Sequence, residues 1–273
     1  MIPENYEFKT LIDEMKIRGF SRQTIESYHY HNVKFLNFIK KSPKEVTKSD
    51  IEKYLVHLYD KEIASATRHL ICSALKFYYE MVLKRRFNLI HPKKSNSLPI
   101  VLSKNEILEM INSLQNPKHR LLIELMYGSG LRVGEAVKIK IEDFDLERKI
   151  LHVKSGKGNK DRIVNLSEKF ISEFKNFTQN KNSGFLFESS ARQWNHISIR
   201  TAEQIIKNAL NKSSITKNAH PHTLRTSYAT HLVENGTDIS YIQKLLGHSD
   251  IKTTQIYLRL SNSSIQNIKS PLD

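Results

Sequence analysis

At 273 residues, 39% of them hydrophobic and 26% charged, the chain has length for about two globular domains at ~150 residues each, which excludes a disulfide-stapled miniprotein and a disordered or fibrous chain. Forty-three Lys and Arg against 28 Asp and Glu leave +15, divided as +7 over residues 1–95 and +8 over the rest, so the excess is not a charged tail and a polyanion is the expected partner. No run nears the ~18 apolar residues of a membrane span, no amphipathic anchor or lipidation motif accompanies the charge, and residues 1–7 lack a basic-then-apolar leader, so we expect no membrane partner and a cytoplasmic, nucleoid-associated protein.

Residues 1–91 read as a four-helix domain with apolar positions three and four apart. Phe8, Leu11, Ile12 and Met15 mark a first helix ending at Arg18-Gly19. Ser21 caps a second, striped by Ile25, Tyr28, Val33, Phe35, Phe38 and Ile39. A third starts at Ser49 or Asp50 and carries Ile51, Tyr54, Leu55 and Leu58. Ser65 opens a fourth through Leu70, Ala74, Leu75, Phe77, Tyr78 and Leu83. Cys72, the one cysteine, reads as buried in this helix, which leaves no internal disulfide and no thiolate metal cluster. Arg68, Lys76, Lys84, Arg85 and Arg86 are the natural phosphate-facing set, although for any one of them a solvated helix face is an equal reading.

Residues 92–99, with two prolines and no periodicity, read as a linker. Beyond it Ser103-Lys104-Asn105-Glu106 is a capping box opening a helix through Leu114, and Arg120 to Tyr127 form an apolar helix stopped by Gly128 and Gly130. Residues 149–154 and 162–166 switch to a strand period around the glycine-containing segment 155–161, which predicts a β-hairpin. Helical patterns return at 167–178, 198–211, 222–235 and 238–246, the last capped by Asp238. The expected fold is mainly α: a four-helix N-terminal domain, and from residue 100 a mostly helical domain with a small antiparallel sheet and a C-terminal tail from about 259.

The second domain carries, in order, Gly130-Leu131-Arg132-Val133-Gly134-Glu135, Gly156-Lys157-Gly158, His222-Thr223-Leu224-Arg225, Leu246-Gly247-His248 and Thr253-Thr254-Gln255-Ile256-Tyr257. This set resembles the tyrosine recombinases of the lambda-integrase type and looks most like the compact Xer group, over nearly the whole chain, which implies that the N-terminal four-helix domain is a core-binding domain and the domain from residue 100 the catalytic domain. Each fragment is weak alone, but six chemically suited residues in the family's order, with its nine-residue step from His248 to Tyr257, make a specific match. The resemblance implies a site-specific recombinase with Arg132, Lys157, His222, Arg225, His248 and Tyr257 as catalytic residues, cutting DNA through a 3′-phosphotyrosyl link and exchanging strands through a Holliday junction. The biological task would be dimer resolution of the Xer kind, or integration and excision of a mobile element.

The residue chemistry agrees with that implication. His222 and Arg225 lie at i and i+3 near a helix N-terminus, and Arg132 opens another helix, so two guanidinium groups can hold one phosphodiester and stabilise the charge of its transition state. No metal or cofactor is then needed, and the carboxylates Glu142, Asp143 and Asp145 stand apart from the basic set. A phenol can form a covalent intermediate, which suits Tyr257. Lys157 resembles the family's general acid for the leaving 5′-oxygen. His222 would assist Tyr257 or bond the phosphate, and His248 would donate to it. Glu135 is expected to orient Arg132, and Lys160 and Arg162 to contact the DNA backbone. Thr226 stands where the family commonly has His.

The expected partners are double-stranded DNA, gripped by both basic domains, and further protomers. Ile265, Ile268 and Leu272 give the tail a one-sided apolar stripe. The resemblance implies that such a tail docks into a neighbour in a tetramer on two DNA sites. Two other readings remain at this stage. One is a type IB topoisomerase, disfavoured by the short chain and the Xer-like tail. The other is an inactive architectural DNA-binding factor, disfavoured because it has no use for Tyr257. The target DNA sequence is not visible in the chain.

Overall fold

Small polar residues ahead of apolar runs start most of the helices, because their side-chain oxygens satisfy N–H groups that a first turn leaves unpaired. The computed structural model describes residues 8–93, 98–154, 161–179, 181–190 and 194–261. The chain separates into two units, Met1–Ser97 and Leu98–Asp273.

The first unit contains α1 (Lys9–Ile17), α2 (Arg22–Ile39), α3 (Lys48–Asp60) and α4 (Ser65–Lys76), with a π-helical turn at Phe77–Val82. Ser21 caps α2 by accepting from the Thr24 N–H. The cap of α3 is Thr47, not Ser49 or Asp50: Thr47 Oγ1 accepts from the Asp50 N–H and Asp50 returns a bond from the Thr47 N–H. Asp50 is thus the third residue of the helix, a partner in the cap and not the cap itself. Leu11, Met15, Phe35, Ile51, Cys72, Leu75 and Tyr79 form the core, each with no exposed surface. Burial pushes the Cys72 thiol up, so it is an inert core residue.

The second unit runs α5 (Lys104–Asn112), α6 (Pro117–Ser129), α7 (Val133–Ala136), a 3-10 turn at Ile141–Asp143, β1 (Phe144–Asp145), β2 (Ile150–Val153), β3 (Arg162–Asn165), α8 (Glu168–Thr178), α9 (Ile199–Asn211), α10 (Pro221–Glu234), α11 (Ile239–Leu246) and α12 (Lys252–Leu260). The sheet order is β1-β2-β3, antiparallel throughout, with Leu151 opposite Phe144 and Val164, and Val153 opposite Arg162. The hairpin tip, with Lys157 and Lys160, lies outside the described residues, as does the tail from Asn262.

The Ser103–Glu106 capping box forms in full. Helix α6 is buried nearly all round through Leu121, Leu122, Ile123, Leu125 and Met126. Gly128 lies inside it and does not stop it: only Gly130, at φ +60°, takes the left-handed turn that ends a helix. Two elements escaped the sequence patterns, β1, too short to show a period, and α12, which carries Tyr257.

Candidate active site

Two helix ends define the site. Gly130 closes α6 and Gly247 closes α11, both in the left-handed conformation. Side chains pack directly on them: a Cβ at Gly130 would stand 2.4 Å from Tyr228 Cδ1, and one at Gly247 3.1 Å from Arg162 Cδ. Each C-terminus leaves carbonyls without helical partners and carries a partial negative charge. Arg225 of α10, fully buried, occupies the space between: its Nη1 donates to Gly130 O at 2.7 Å and its Nη2 to Leu246 O at 2.6 Å. Burial, then the neighbouring Arg132, lower its pKa to about 10, so it stays cationic at neutral pH. Its Nε is buried without a hydrogen-bond partner among the described residues.

The second proton of Arg225 Nη2 points at His248 Nε2, 3.1 Å away, and His248 Nδ1 lies 2.9 Å from Thr254 Oγ1. Burial and the Arg225, Arg132, His222 and Arg162 charges depress His248 to about 4, so the ring is neutral near pH 7. Tyr257, 3% exposed, stacks its ring beside that of His248 with centroids 6.3 Å apart. Burial raises the Tyr257 phenol, and the Arg225 and Arg132 guanidiniums offset part of the rise. His222 stands at the cleft rim with solvent access, its pKa lowered by partial desolvation and then by Arg225, His220 and Arg132.

Glu135 ties the other arginines together. Its Oε1 accepts from Arg132 Nη1 at 2.9 Å, and its Oε2 from the Arg132 backbone N–H at 2.8 Å. Arg162 binds the same carboxylate with both terminal nitrogens, at 2.9 and 2.7 Å, and donates Nε to Leu245 O. Burial would raise the Glu135 carboxyl, but Arg162 and Arg132 outweigh it and hold it at about 2. Arg162 therefore corrects its sequence reading: the side chain is 7% exposed and spent on Glu135 and the end of α11, not turned to a DNA backbone. A side chain leaving β3 inward toward a buried carboxylate loses its hydration unless that carboxylate binds it.

Arg132, His222, Thr226, His248 and Tyr257 line one cleft of about 630 Å³. A neighbouring cavity of about 810 Å³ opens between β2, β3 and α11 and shares Gly247, His248 and Ser249 with it. Five of the six expected catalytic residues thus converge, four on the cleft wall and Arg225 beneath it; Lys157 and Lys160 fall outside the described residues. Thr254 was not singled out from the sequence, and its adjacency to His248 arises only when α11 and α12 fold together.

The basic residues of the first unit divide. Arg85 departs from the phosphate-facing expectation: Nη1 donates to Pro43 O and Lys44 O, and the guanidinium covers Phe87. Arg68 likewise binds Ile63 O and lies over Tyr59. Backbone carbonyls left by chain turns recruit both groups. Lys76 stands 3.9 Å from Glu80, while Lys84 and Arg86 are exposed. Among the described residues no group of three or more His, Cys, Asp or Glu could hold a metal, and no helix is long and apolar enough to cross a membrane.

The phage integrase family model matches residues 101–264, and that of the phage integrase N-terminal SAM-like domain matches 8–89. The chain is 34% identical over 265 residues to the tyrosine recombinase XerA of Pyrococcus horikoshii, covering 95% of this chain and 90% of that protein. The crystal structure of a XerA recombinase aligns over 95% of both chains at 30% identity with a TM-score of 0.56. The XerH site-specific recombinase, bound to its palindromic difH substrate in a post-cleavage complex, shares the fold at TM-score 0.76 and 22% identity, covering 91% of this chain and 80% of that one.

Proposed function

Because the chain belongs to the phage integrase family and is a tyrosine-type site-specific recombinase, we propose that its cleft cuts and rejoins double-stranded DNA with Tyr257 as nucleophile. The observation that carries this reading is the buried Arg225, cationic, bonded to His248 at the wall of an open cleft and with its Nε unpartnered among the described residues. A cation so placed stabilises an anion that gains charge during reaction, and a phosphodiester becoming pentacoordinate does so. Arg132, fixed by Glu135, supplies the second guanidinium.

In the proposed step Tyr257 Oη attacks phosphorus, the phenol gives up its proton, and the bond to the 5′-oxygen breaks. Lys157 delivers a proton to that oxygen, a role that rests on its motif. Neutral His222 has a lone pair to receive the phenol proton, or an N–H to offer the phosphate. The product is a 3′-phosphotyrosyl strand, which the 5′-hydroxyl of a second strand attacks to restore the phosphodiester and free Tyr257. We assign His248 differently from the sequence reading: with Nε2 facing Arg225 and Nδ1 facing Thr254, it holds Arg225 and has no donor left for phosphate.

We further propose assembly as a tetramer on two DNA sites, with Ile265 and Ile268 docking in a neighbour; their three-residue spacing supports this. Ile265→Asp with Ile268→Asp then weakens cooperative DNA binding and cleavage while sparing binding of a single protomer, and unchanged cooperativity contradicts the docking. The reaction itself is tested on a supercoiled plasmid bearing two copies of a sequence the protein selects from a random pool. Recombinant circles are expected. Relaxation alone marks a topoisomerase, and neither product marks a binding factor.

A further inference from the structure

Thr254 lies on α12 three residues before Tyr257, has no exposed surface, and places Oγ1 2.9 Å from His248 Nδ1. On the far side of the same ring, Nε2 faces Arg225 Nη2 at 3.1 Å. A guanidinium has only N–H donors and no lone pair to offer, so Nε2 must accept. A neutral imidazole carries a single ring proton, and acceptance at Nε2 places it on Nδ1. Thr254 Oγ1 is then the acceptor of that proton. With the opposite tautomer, Nε2–H would confront the Arg225 N–H, and an unprotonated Nδ1 would face Thr254.

We propose that Thr254 is a positioning residue of the reaction: its hydroxyl fixes the Nδ1–H tautomer of His248, aims the Nε2 lone pair at Arg225, and so locks the helix bearing the nucleophile to the arginine that binds the phosphate. The inference rests on Tyr257 and Arg225 acting as proposed above and adds how their relative placement is set. The chain of contacts runs from α12 through Thr254 to His248, on to Arg225 of α10, and ends at the carbonyls closing α6 and α11. Its contacts are short, and Thr254 and Arg225 at either side of the half-buried His248 have no exposed surface, so losing one hydroxyl is felt at the guanidinium. Valine has the shape of threonine without the oxygen, which isolates the hydroxyl from packing.

The test uses the full-length protein labelled with 15N-histidine and reads the two ring nitrogens of His248 by NMR, assigned by the loss of its signals in His248→Gln. The wild-type ring is expected to show a protonated Nδ1 and a bare Nε2. Thr254→Val should move it toward the Nε2–H form and lower the rate of covalent attachment to a nicked duplex, bearing a pool-selected sequence, about tenfold, the scale of one buried hydrogen bond. Thr254→Ser, which restores the oxygen, should return both the spectrum and the rate to within about threefold. A wild-type ring protonated at Nε2 overturns the inference, and this measurement needs no variant to fold. A folded Val variant with an unchanged spectrum, or a folded Ser variant that restores neither readout, overturns it as well. Failure of the wild-type protein to attach to DNA would instead count against the recombinase reading, with the ring spectrum still deciding the role of Thr254.

Discussion

The two units bury different things. Of the fourteen buried polar or charged residues described, Asn32 and Asp50 lie in the first unit and the other twelve in the second, six of them on α10 alone. Those two serve the helices themselves, Asn32 tying α2 to α4 through the carbonyls of Tyr28 and Ala74 and Asp50 capping α3. In the second unit the arginines form a charged network that several segments share: Arg225 binds residues 95 and 21 positions away, and Arg162 reaches residues 27 and 83 away. Burying polar groups costs stability unless each finds a partner. A fold that gathers buried charge at one cleft, as Arg225 and Glu135 are gathered here, is organised for chemistry there, whereas the first unit is organised as a core with a basic exterior.

The contrast breaks most visibly at Arg225. Arg225→Gln keeps polarity but removes the charge, and single-turnover attachment to nicked DNA is expected to fall about 10²- to 10³-fold, the cost of one preorganised donor to a developing anion. A loss below fivefold would mean that the buried cation serves the fold and not the reaction. Glu135→Gln strips the counterion from Arg162 and Arg132, and denaturant unfolding should show a loss of about 3 kcal/mol, because breaking a buried pair strands the remaining charge. Disrupting the helix cap through Asp50→Asn in the first unit should cost only about 1 kcal/mol. Equal losses would erase the distinction between the units.

How much of this could be read from the chain divides along the same line. Helix starts at Ser21 and Ser103, the hairpin strands and the order of catalytic motifs are local patterns, and the structure shows those elements where the patterns put them. The N-cap at Thr47 is hidden in sequence because Ser49 and Asp50, two and three residues later, offer the same chemistry. In sequence Gly128 is as good a helix stop as Gly130, and only the folded backbone distinguishes the one of the pair that adopts a positive φ. Arg162 and Arg85 look like surface charge in sequence, since the groups that claim them, Glu135 and the carbonyls of Pro43 and Lys44, become neighbours only on folding. Thr254 was missed for the same reason. Convergence of Arg132, His222, Arg225, His248 and Tyr257 was legible as an ordered motif, but the two helix ends that seat Arg225 were not.

Acid should sharpen the contrast at a smaller scale. His248 is held at about 4 in the folded chain against ~6.5 unfolded. The unfolded state therefore takes up the proton first as pH falls. The stability that His248 contributes is fully present above about pH 6.5 and declines as pH drops from there toward about 4. Thermal unfolding of the second unit should lose stability over that window, and His248→Gln should flatten the loss. A variant with the wild-type slope would show that other groups carry the pH dependence. At the lower limit of effect stand the first unit's arginines. Arg86→Ala should reduce the salt slope of DNA binding by about one phosphate contact, whereas Arg85→Ala should leave the slope alone and lower stability by about 1 kcal/mol. Identical slopes for the two variants would contradict their separation.

The central claim, that the polar second unit exists to make Tyr257 a nucleophile toward DNA phosphorus, is tested most directly by removing one oxygen. Tyr257→Phe keeps the ring beside His248 and the packing of α12. Incubated with nicked duplex carrying a pool-selected sequence and resolved on a denaturing gel, the wild type should form a covalent adduct, and the variant should form none while binding the same DNA within about twofold of wild type, since its phosphate contacts are intact. Adducts that persist in Tyr257→Phe would place the nucleophile elsewhere and contradict the account.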